Sequence, residues 1–319
     1  MAYALGLVAM LGAAAITVSR LSGSTAYVPV LLTSFTPYAT AAYAIAALLL
    51  LITAVRRRSI RLAGAGALAA AAVALHTVWL VPLVTADAAS ASASASVRDE
   101  AGTPVRVLSV NLRMGGAEPD DLAGVIREVD PDILVLLEVA QPVLGRLDDV
   151  VPPDLARVAG GGDRLDSEIF SRFASPGAEE LGLTLGGWRT ELSVGGQVVQ
   201  TFGVHPFSPA LRPEAWRDDH ASLREQVVAT TGPALVVGDL NAVPDHPPMR
   251  ELAAAGVRDA AELAGAGLLP TFPAHPIVPP LIAIDHVLVR GPWTVRGVAT
   301  HRVAGTDHLG VSADLVLGD

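Results

Sequence analysis

Hydrophobic and polar positions follow two different patterns along this chain. In the first part, apolar residues come in long uncharged blocks. Residues 2–19 carry no charge and run through Leu5, Val8, Met10, Leu11 and Ile16. Residues 21–55 are also charge-free, and so are residues 62–86, which end in Val78, Trp79, Leu80, Val81 and Pro82. A helix needs roughly 20 apolar residues to cross a bilayer, so three spans are predicted, at about 2–19, 37–55 and 62–86. Pro29 and Pro37 place the second in the later part of its block. The first is short enough to suggest a signal-peptide core. No charged segment precedes it and no clean cleavage site follows, so it reads as a helix. His76, inside the third span, reads as a neutral imidazole bonded to a neighbouring helix.

Beyond residue 87 the pattern breaks. Residues 88–96 read AASASASAS, too small and polar to bury a core, and residues 88–103 are read as a flexible linker between a membrane region (1–87) and a folded domain (104–319). In that domain the apolar runs are short and each stops at a polar residue. Strands are predicted at Val105–Leu112, Ile133–Val139, Val198–Val204, Ala234–Val237, Ile284–Val289 and Gly310–Leu317. Pro119, Asp120 and Asp121 open a helix with Leu122, Val125, Ile126 and Val129 on one face. Residues 213–229 form a second helix, with Trp216, Leu223 and Val227 at helical spacing. The expected architecture is a layered α/β domain with a site along one strand edge.

Charge separates the same two parts. Residues 1–97 hold five arginines and one carboxylate, whereas residues 98–319 hold 17 arginines and 31 carboxylates, a net of −14. Arg56, Arg57, Arg58 and Arg61 fill the short loop between the second and third spans. Such loops stay cytoplasmic, which predicts a domain outside the cytoplasm. The chain has no cysteine and no lysine. Disulfides, thiolate sites and Cys or Lys nucleophiles are therefore excluded.

The polar residues at the strand ends are Asn111, Glu138, His205, Asp239 with Asn241, Asp285, and Asp307 with His308. Oxygen ligands of this kind suit Mg²⁺ or Mn²⁺. With two imidazoles nearby, they are the equipment for transferring a phosphoryl group to water. Alone, GDLNA at 238–242 also fits a turn, Asn111 a strand end, and His205 a loop start. Glu138 is harder to excuse, because a carboxylate closing so apolar a run needs a partner.

Taken in order, VLSVNL, LVLLEV, FGVHPFSP, LVVGDLNAVPDHPP, IDHVLV and GTDHLGVSADL resemble the endonuclease/exonuclease/phosphatase family over about two thirds of the chain. The resemblance implies a four-layer α/β/β/α sandwich (DNase I-like) behind the three membrane helices. It implies Glu138 as principal metal ligand, with Asn111 and Asp307 completing or supporting the site. Asp239 would orient or activate water, and Asn241 would hold a phosphate oxygen or a second metal. His308 would contact the scissile phosphate, held by Asp285, and His205 would be a candidate general acid. Leu137 stands where the family often has Gln, and Thr306 where Ser is common. Glu168 is a candidate to orient His205. His220, His246, His275, His286 and His301 lie outside the motifs and read as surface or loop residues, and Arg113 as solvated or ion-paired.

The expected function is a metal-dependent phosphoesterase outside the cytoplasm. Its partners would be the lipid bilayer and a phosphate-ester substrate, possible examples being a phospholipid or another lipid-linked ester. Two alternatives are an extracytoplasmic nuclease and a non-catalytic binding ectodomain. The net of −14 predicts no strong nucleic-acid-binding surface.

Overall fold

The structure is a computed structural model and describes residues 2–86, 102–161 and 166–318. The predicted linker falls on residues 88–103, of which 88–101 lie outside the described residues. The chain divides into two compact units, residues 1–82 with 245–247, and residues 83–244 with 248–319.

The first unit is helical: α1 (Ala2–Ser22), α2 (Tyr27–Thr33), α3 (Thr36–Arg57) and α4 (Ile60–Val84). α1, α3 and α4 are long and apolar enough to cross a membrane. They coincide with the three expected spans, and the short α2 takes up Pro29. Pro37 sits in the first turn of α3, where a missing N–H costs nothing. Arg58 ends that helix in the left-handed conformation. Small residues line the helix contacts: Ala13, Ala39, Ala46 and Ala69 are buried, letting backbones approach closely. Leu5, Val8, Leu11, Leu48 and Val78 point outward. His76 is buried among the helices, with Nε2 2.9 Å from Thr17 Oγ1 and Nδ1 3.3 Å from the Thr36 carbonyl. Its sequence context predicts this satisfied imidazole.

The second unit opens with β1 (Thr103–Asn111), α5 (Pro119–Val129) and β2 (Ile133–Val139), followed by the one-turn α6 (Leu147–Val150). β3 (Ala156–Ala159), β4 (Asp166–Ser171), β5 (Ala178–Glu180), β6 (Gly187–Val194) and β7 (Gln197–Val204) come next. The chain continues through α7 (Pro213–Ala229), β8 (Ala234–Asp239), α8 (Pro247–Ala254), β9 (Arg258–Asp259) and α9 (Ala260–Leu263). It closes with β10 (Asp285–Arg290), β11 (Trp293–Arg302) and β12 (Leu309–Leu317).

The strands form two mixed six-stranded sheets, ordered β11-β12-β1-β2-β4-β3 and β5-β6-β7-β8-β10-β9. The central strands read as unbroken apolar runs because both of their faces are covered. Side chains alternate along a strand. Val105, Val107, Ile133, Val135 and Leu137 therefore turn to one face of the first sheet. There they share a core with Leu235, Val237, Val287 and Val289 of the second. Leu108, Val110, Leu134 and Leu136 turn the other way and pack on Leu122 and Ile126 of α5. The result is the expected α/β fold, with two sheets face to face and helices outside.

Candidate active site

Strand register gathers the polar residues at one end of both sheets. β1 and β2 are parallel with Asn111 opposite Leu137, so Asn111 and Glu138 leave neighbouring strands side by side. β7 and β8 are parallel with Val204 opposite Gly238, which makes His205 and Asp239 the next pair. β10 runs antiparallel to β8 and sets Asp285 directly across from Asp239. β12 pairs with β1, and the segment leading into it is fixed by Thr306, whose Oγ1 donates to the Asn111 carbonyl at 2.7 Å. His308 follows two residues later.

Asp239 is the hub. Its Oδ1 accepts the Asn241 N–H at 2.8 Å, and its Oδ2 accepts Asn111 Nδ2 at 3.1 Å. The same Oδ2 lies 3.5 Å from His205 Nε2 and 3.8 Å from His308 Nε2. Asn111 Nδ2 also donates to Glu138 Oε1 at 3.1 Å, so one amide group joins the two carboxylates. Glu138 Oε1 is 3.8 Å from His205 Nε2, and its Oε2 accepts the Met114 N–H at 2.8 Å. His308 Nδ1 sits 2.9 Å from Asp285 Oδ2. Asn241 Nδ2 donates to the Pro206 carbonyl at 3.1 Å.

Seven of the eight residues singled out from sequence thus form one connected group: Asn111, Glu138, His205, Asp239, Asn241, Asp285 and His308. Asp307 stands next to His308, but its half-exposed carboxylate faces Arg113 Nε at 3.6 Å, and so Arg113 is ion-paired. The buried Glu168 lies 2.8 Å from Arg157 Nε.

The backbone is under tension here. Among the described residues, six other than glycine have positive φ, and four of them are Arg113, Met114, Glu138 and Asn241. Left-handed backbone costs an L-residue about 1–2 kcal/mol, and such conformations concentrate at functional sites. Gly238 has φ 146°, and a Cβ there would stand 2.1 Å from the Val204 carbonyl oxygen. Only glycine brings β8 this close to the strand that carries His205.

Burial and charge set the protonation states. Burial would push the Asp239 carboxyl up, but His308 and His205 outweigh it and hold it down at about 2. Burial raises Asp285, and the charge of Asp239 across the ladder adds to that. Burial would lower His308, yet the carboxylates of Asp285 and Asp239 push it up to about 10. The two carboxylates facing it thus favour the protonated ring of His308.

Asp239, Asp285 and His308 place one potential ligand atom each within 4.8 Å of one another. Asp285 Oδ1 is buried without a hydrogen-bond partner, in a protein where such atoms are normally satisfied. Glu138 Oε1 is joined to this group through Asn111 Nδ2, while the Asn111 oxygen accepts the Arg113 N–H at 2.9 Å. Hard oxygen donors with an orphaned carboxylate oxygen fit a divalent cation of the Mg²⁺ or Mn²⁺ kind.

Some of the expected surface histidines are not on the surface. His275 is exposed, but His220, His246 and His286 are buried. The helical spacing of Trp216, Leu223 and Val227 also includes His220, four residues after the first and three before the second, so it shares their buried stripe. His286 alternates with Asp285 and Val287 along β10. It consequently enters the opposite, equally covered face of the second sheet.

A sequence model described as the Endonuclease/Exonuclease/phosphatase family matches residues 108–308, well over half of the chain. No curated protein is significantly similar. Among solved structures, an endonuclease/exonuclease/phosphatase family protein from Bacteroides thetaiotaomicron superposes with a TM-score of 0.56 at 20% identity, covering 69% of this chain and 100% of its own. D. rerio TDP2 complexed with single strand DNA product gives 0.54 at 15% identity, covering 66% of this chain and 98% of its own. The endonuclease/exonuclease/phosphatase from Beutenbergia cavernae gives 0.51 at 20%, covering 68% and 72%.

Proposed function

Because the chain belongs to the endonuclease/exonuclease/phosphatase family, whose members are generally hydrolases of phosphoester bonds, we propose that it is a divalent-metal-dependent phosphoesterase held at a membrane with its catalytic domain outside the cytoplasm. The proposed substrate is a phosphodiester or phosphomonoester of a phospholipid or another lipid-linked molecule. The observation that carries the reading is the Asp239 hub, where an ionised carboxylate contacts Asn111 and lies within 3.8 Å of both imidazoles.

Glu138 and Asn111, with Asp239 adjoining and Asp307 at the mouth, are the residues proposed to hold Mg²⁺ or Mn²⁺. When bound, such an ion would offset phosphate charge and polarise the phosphorus centre. The remaining roles belong to side chains. Asp239, ionised down to about pH 2, orients a water and can take its proton. His308 presents an imidazolium to the developing charge on the phosphate, with Asp285 fixing the ring through Nδ1. His205, whose Nε2 approaches the same Asp239 oxygen as His308 does, is proposed to protonate the leaving oxygen. Asn241 is anchored to the Pro206 carbonyl and is assigned the phosphate oxygens or a second metal.

Three apolar helices and the arginine loop at 56–61 support the membrane assignment and the side of the domain. The absence of cysteine makes that side directly readable. Ser59→Cys should react with a membrane-impermeant maleimide only after the cells are opened, and Ala253→Cys in intact spheroplasts. The reverse labelling would overturn the topology.

A second reading, an extracytoplasmic nuclease, is favoured by the likeness to a structure described as bound to a single-strand DNA product. The domain's net of −14 counts against tight nucleic-acid binding. A non-catalytic ectodomain is disfavoured, since the reacting groups are present and in mutual contact.

The deciding experiment uses the full chain in detergent micelles. It presents bis-p-nitrophenyl phosphate, sphingomyelin, phosphatidylcholine, DNA, RNA and inositol phosphates, each with Mg²⁺ or with EDTA. EDTA-sensitive cleavage of a lipid substrate supports the reading. Efficient cleavage of DNA with lipids untouched would replace it with the nuclease.

A further inference from the structure

The turn that follows Asp239 is held in an unusual way. Three successive backbone carbonyls each accept a hydrogen bond from a buried ring nitrogen. His220 Nε2 reaches the Leu240 carbonyl at 2.9 Å, Trp216 Nε1 the Asn241 carbonyl at 3.0 Å, and His286 Nε2 the Ala242 carbonyl at 2.9 Å. Trp216 is 0% exposed, His220 2% and His286 3%. A carbonyl oxygen only accepts, so each of these nitrogens carries a proton. His286 is itself braced, with Nδ1 2.7 Å from Asp259 Oδ2. The rings of Trp216 and His220 meet edge to face at 5.1 Å.

The need for such donors follows from the backbone. At Asn241 φ is +47°, which turns the chain out of the β8 ladder and leaves these carbonyls inside the protein. A buried carbonyl without a donor costs about 1–3 kcal/mol, and three in a row would favour a different turn. The turn's amides are committed elsewhere: Leu240 N–H goes to the Ile284 carbonyl and Asn241 N–H to Asp239 Oδ1. The same helix, α7, also supplies Asp219, whose carboxylate accepts the Phe207 N–H at 2.9 Å, two residues beyond His205. One buried helix face therefore braces the turns behind both His205 and Asn241.

We propose that Trp216, His220 and His286 are positioning residues: together they fix the Leu240–Ala242 turn and through it the directions of the Asp239 carboxylate and the Asn241 amide. The proposal rests on the phosphoesterase reading for its catalytic consequence, but the fixing of the turn can be measured without turnover.

The test uses full-length protein in micelles and the variants Trp216→Phe, His220→Phe and His220→Gln. The two Phe variants keep a ring and lose the N–H, while Gln keeps a donor at similar reach. Hydrogen–deuterium exchange is followed in the peptide containing 239–243 and in a remote peptide containing 105–110. Turnover of bis-p-nitrophenyl phosphate with Mg²⁺ and the melting curve are measured in parallel. In the Phe variants, exchange at 239–243 should rise by roughly tenfold or more with the remote peptide unchanged. kcat should fall by roughly 10–100-fold with KM within about twofold, as expected when reacting groups lose alignment. His220→Gln should restore both to within about threefold. Unchanged exchange at 239–243 in cooperatively folded Phe variants would overturn the proposal, as would faster exchange with full turnover. Equal acceleration in both peptides would also overturn it, since it would mean a general loss of structure. A parent protein that cleaves no phosphoester defeats the enzymatic reading alone, because the exchange measurement still decides whether the rings hold the turn.

Discussion

The two carboxylates at the centre of the site are supported in opposite ways. Asp239 is sealed, with a side chain 2% exposed, and the turn behind it is gripped by three rings. Glu138 is open: its side chain is 20% exposed, and its Oε2 rests on the backbone of Arg113–Met114, two left-handed residues with exposed side chains. The two imidazoles beside Asp239 outweigh its burial, which is why it stays ionised to about pH 2. The difference divides the labour. One sheet contributes a fixed, buried charge, and the other an accessible carboxylate, the one proposed to meet a cation.

The largest expected effects come from removing the open carboxylate or an imidazole that faces the sealed one. Glu138→Ala and His308→Ala should each lower EDTA-sensitive turnover by roughly 10²–10⁴-fold, in line with general acid–base and ligand losses. Circular dichroism should show both folded. Normal turnover in either would dismantle the site. Next comes Gly238→Ala, whose new Cβ meets the Val204 carbonyl at 2.1 Å. It should destabilise the domain by about 1–3 kcal/mol in urea unfolding, because the sealed end has no room to give. An alanine at Glu138, on the open end, should shift that curve far less.

A third test is electrostatic. His308 is pushed up to about 10 with Asp285 as its main opposing charge, so its imidazolium persists through neutral pH and is lost only as pH rises toward that value. Catalysis that depends on it should decline on the alkaline side. Asp285→Asn removes the partner charge and should move that decline to lower pH by roughly 1–3 units. An unmoved alkaline limb would deny the pairing. The smallest effect belongs to the open end. Met114→Gly relieves a left-handed residue and should stabilise the domain by about 1 kcal/mol or less in the same urea assay. It should also lower kcat modestly by loosening the N–H that holds Glu138.

Much of this arrangement was legible in the chain's pattern. Strands buried on both faces announce themselves as apolar runs, so β1, β2, β7, β8, β10 and β12 could be placed, and their polar stops marked the site. Short or half-covered strands could not: β3, β5 and β9 have two to four residues. β11 alternates only weakly, because it is the edge strand of its sheet and its later residues are only partly covered. Asn111, Glu138, Asp239 and His308 were visible because each ends or adjoins an apolar run. Trp216, His220 and His286 were not linked to the site, since their partners are backbone carbonyls and the link exists only once Asn241 turns to positive φ. His220 could still have been flagged as buried from its place in the stripe of Trp216 and Leu223. The metal preference came from oxygen-donor chemistry, but the pairing of Asp307 with Arg113 depends on a turn that no spacing reveals.

The neighbours of β1 have a consequence for how activity appears during synthesis. This strand opens the domain, yet one of its edges is completed only by β12, near residue 317, and His308 arrives just ahead of that strand. A ribosome-bound chain stopped short of β12 leaves one edge of β1 unpaired, with only β2 beside it, and lacks His308. Hydrolytic competence should therefore switch on late and abruptly as the nascent chain lengthens, rather than accumulate with it.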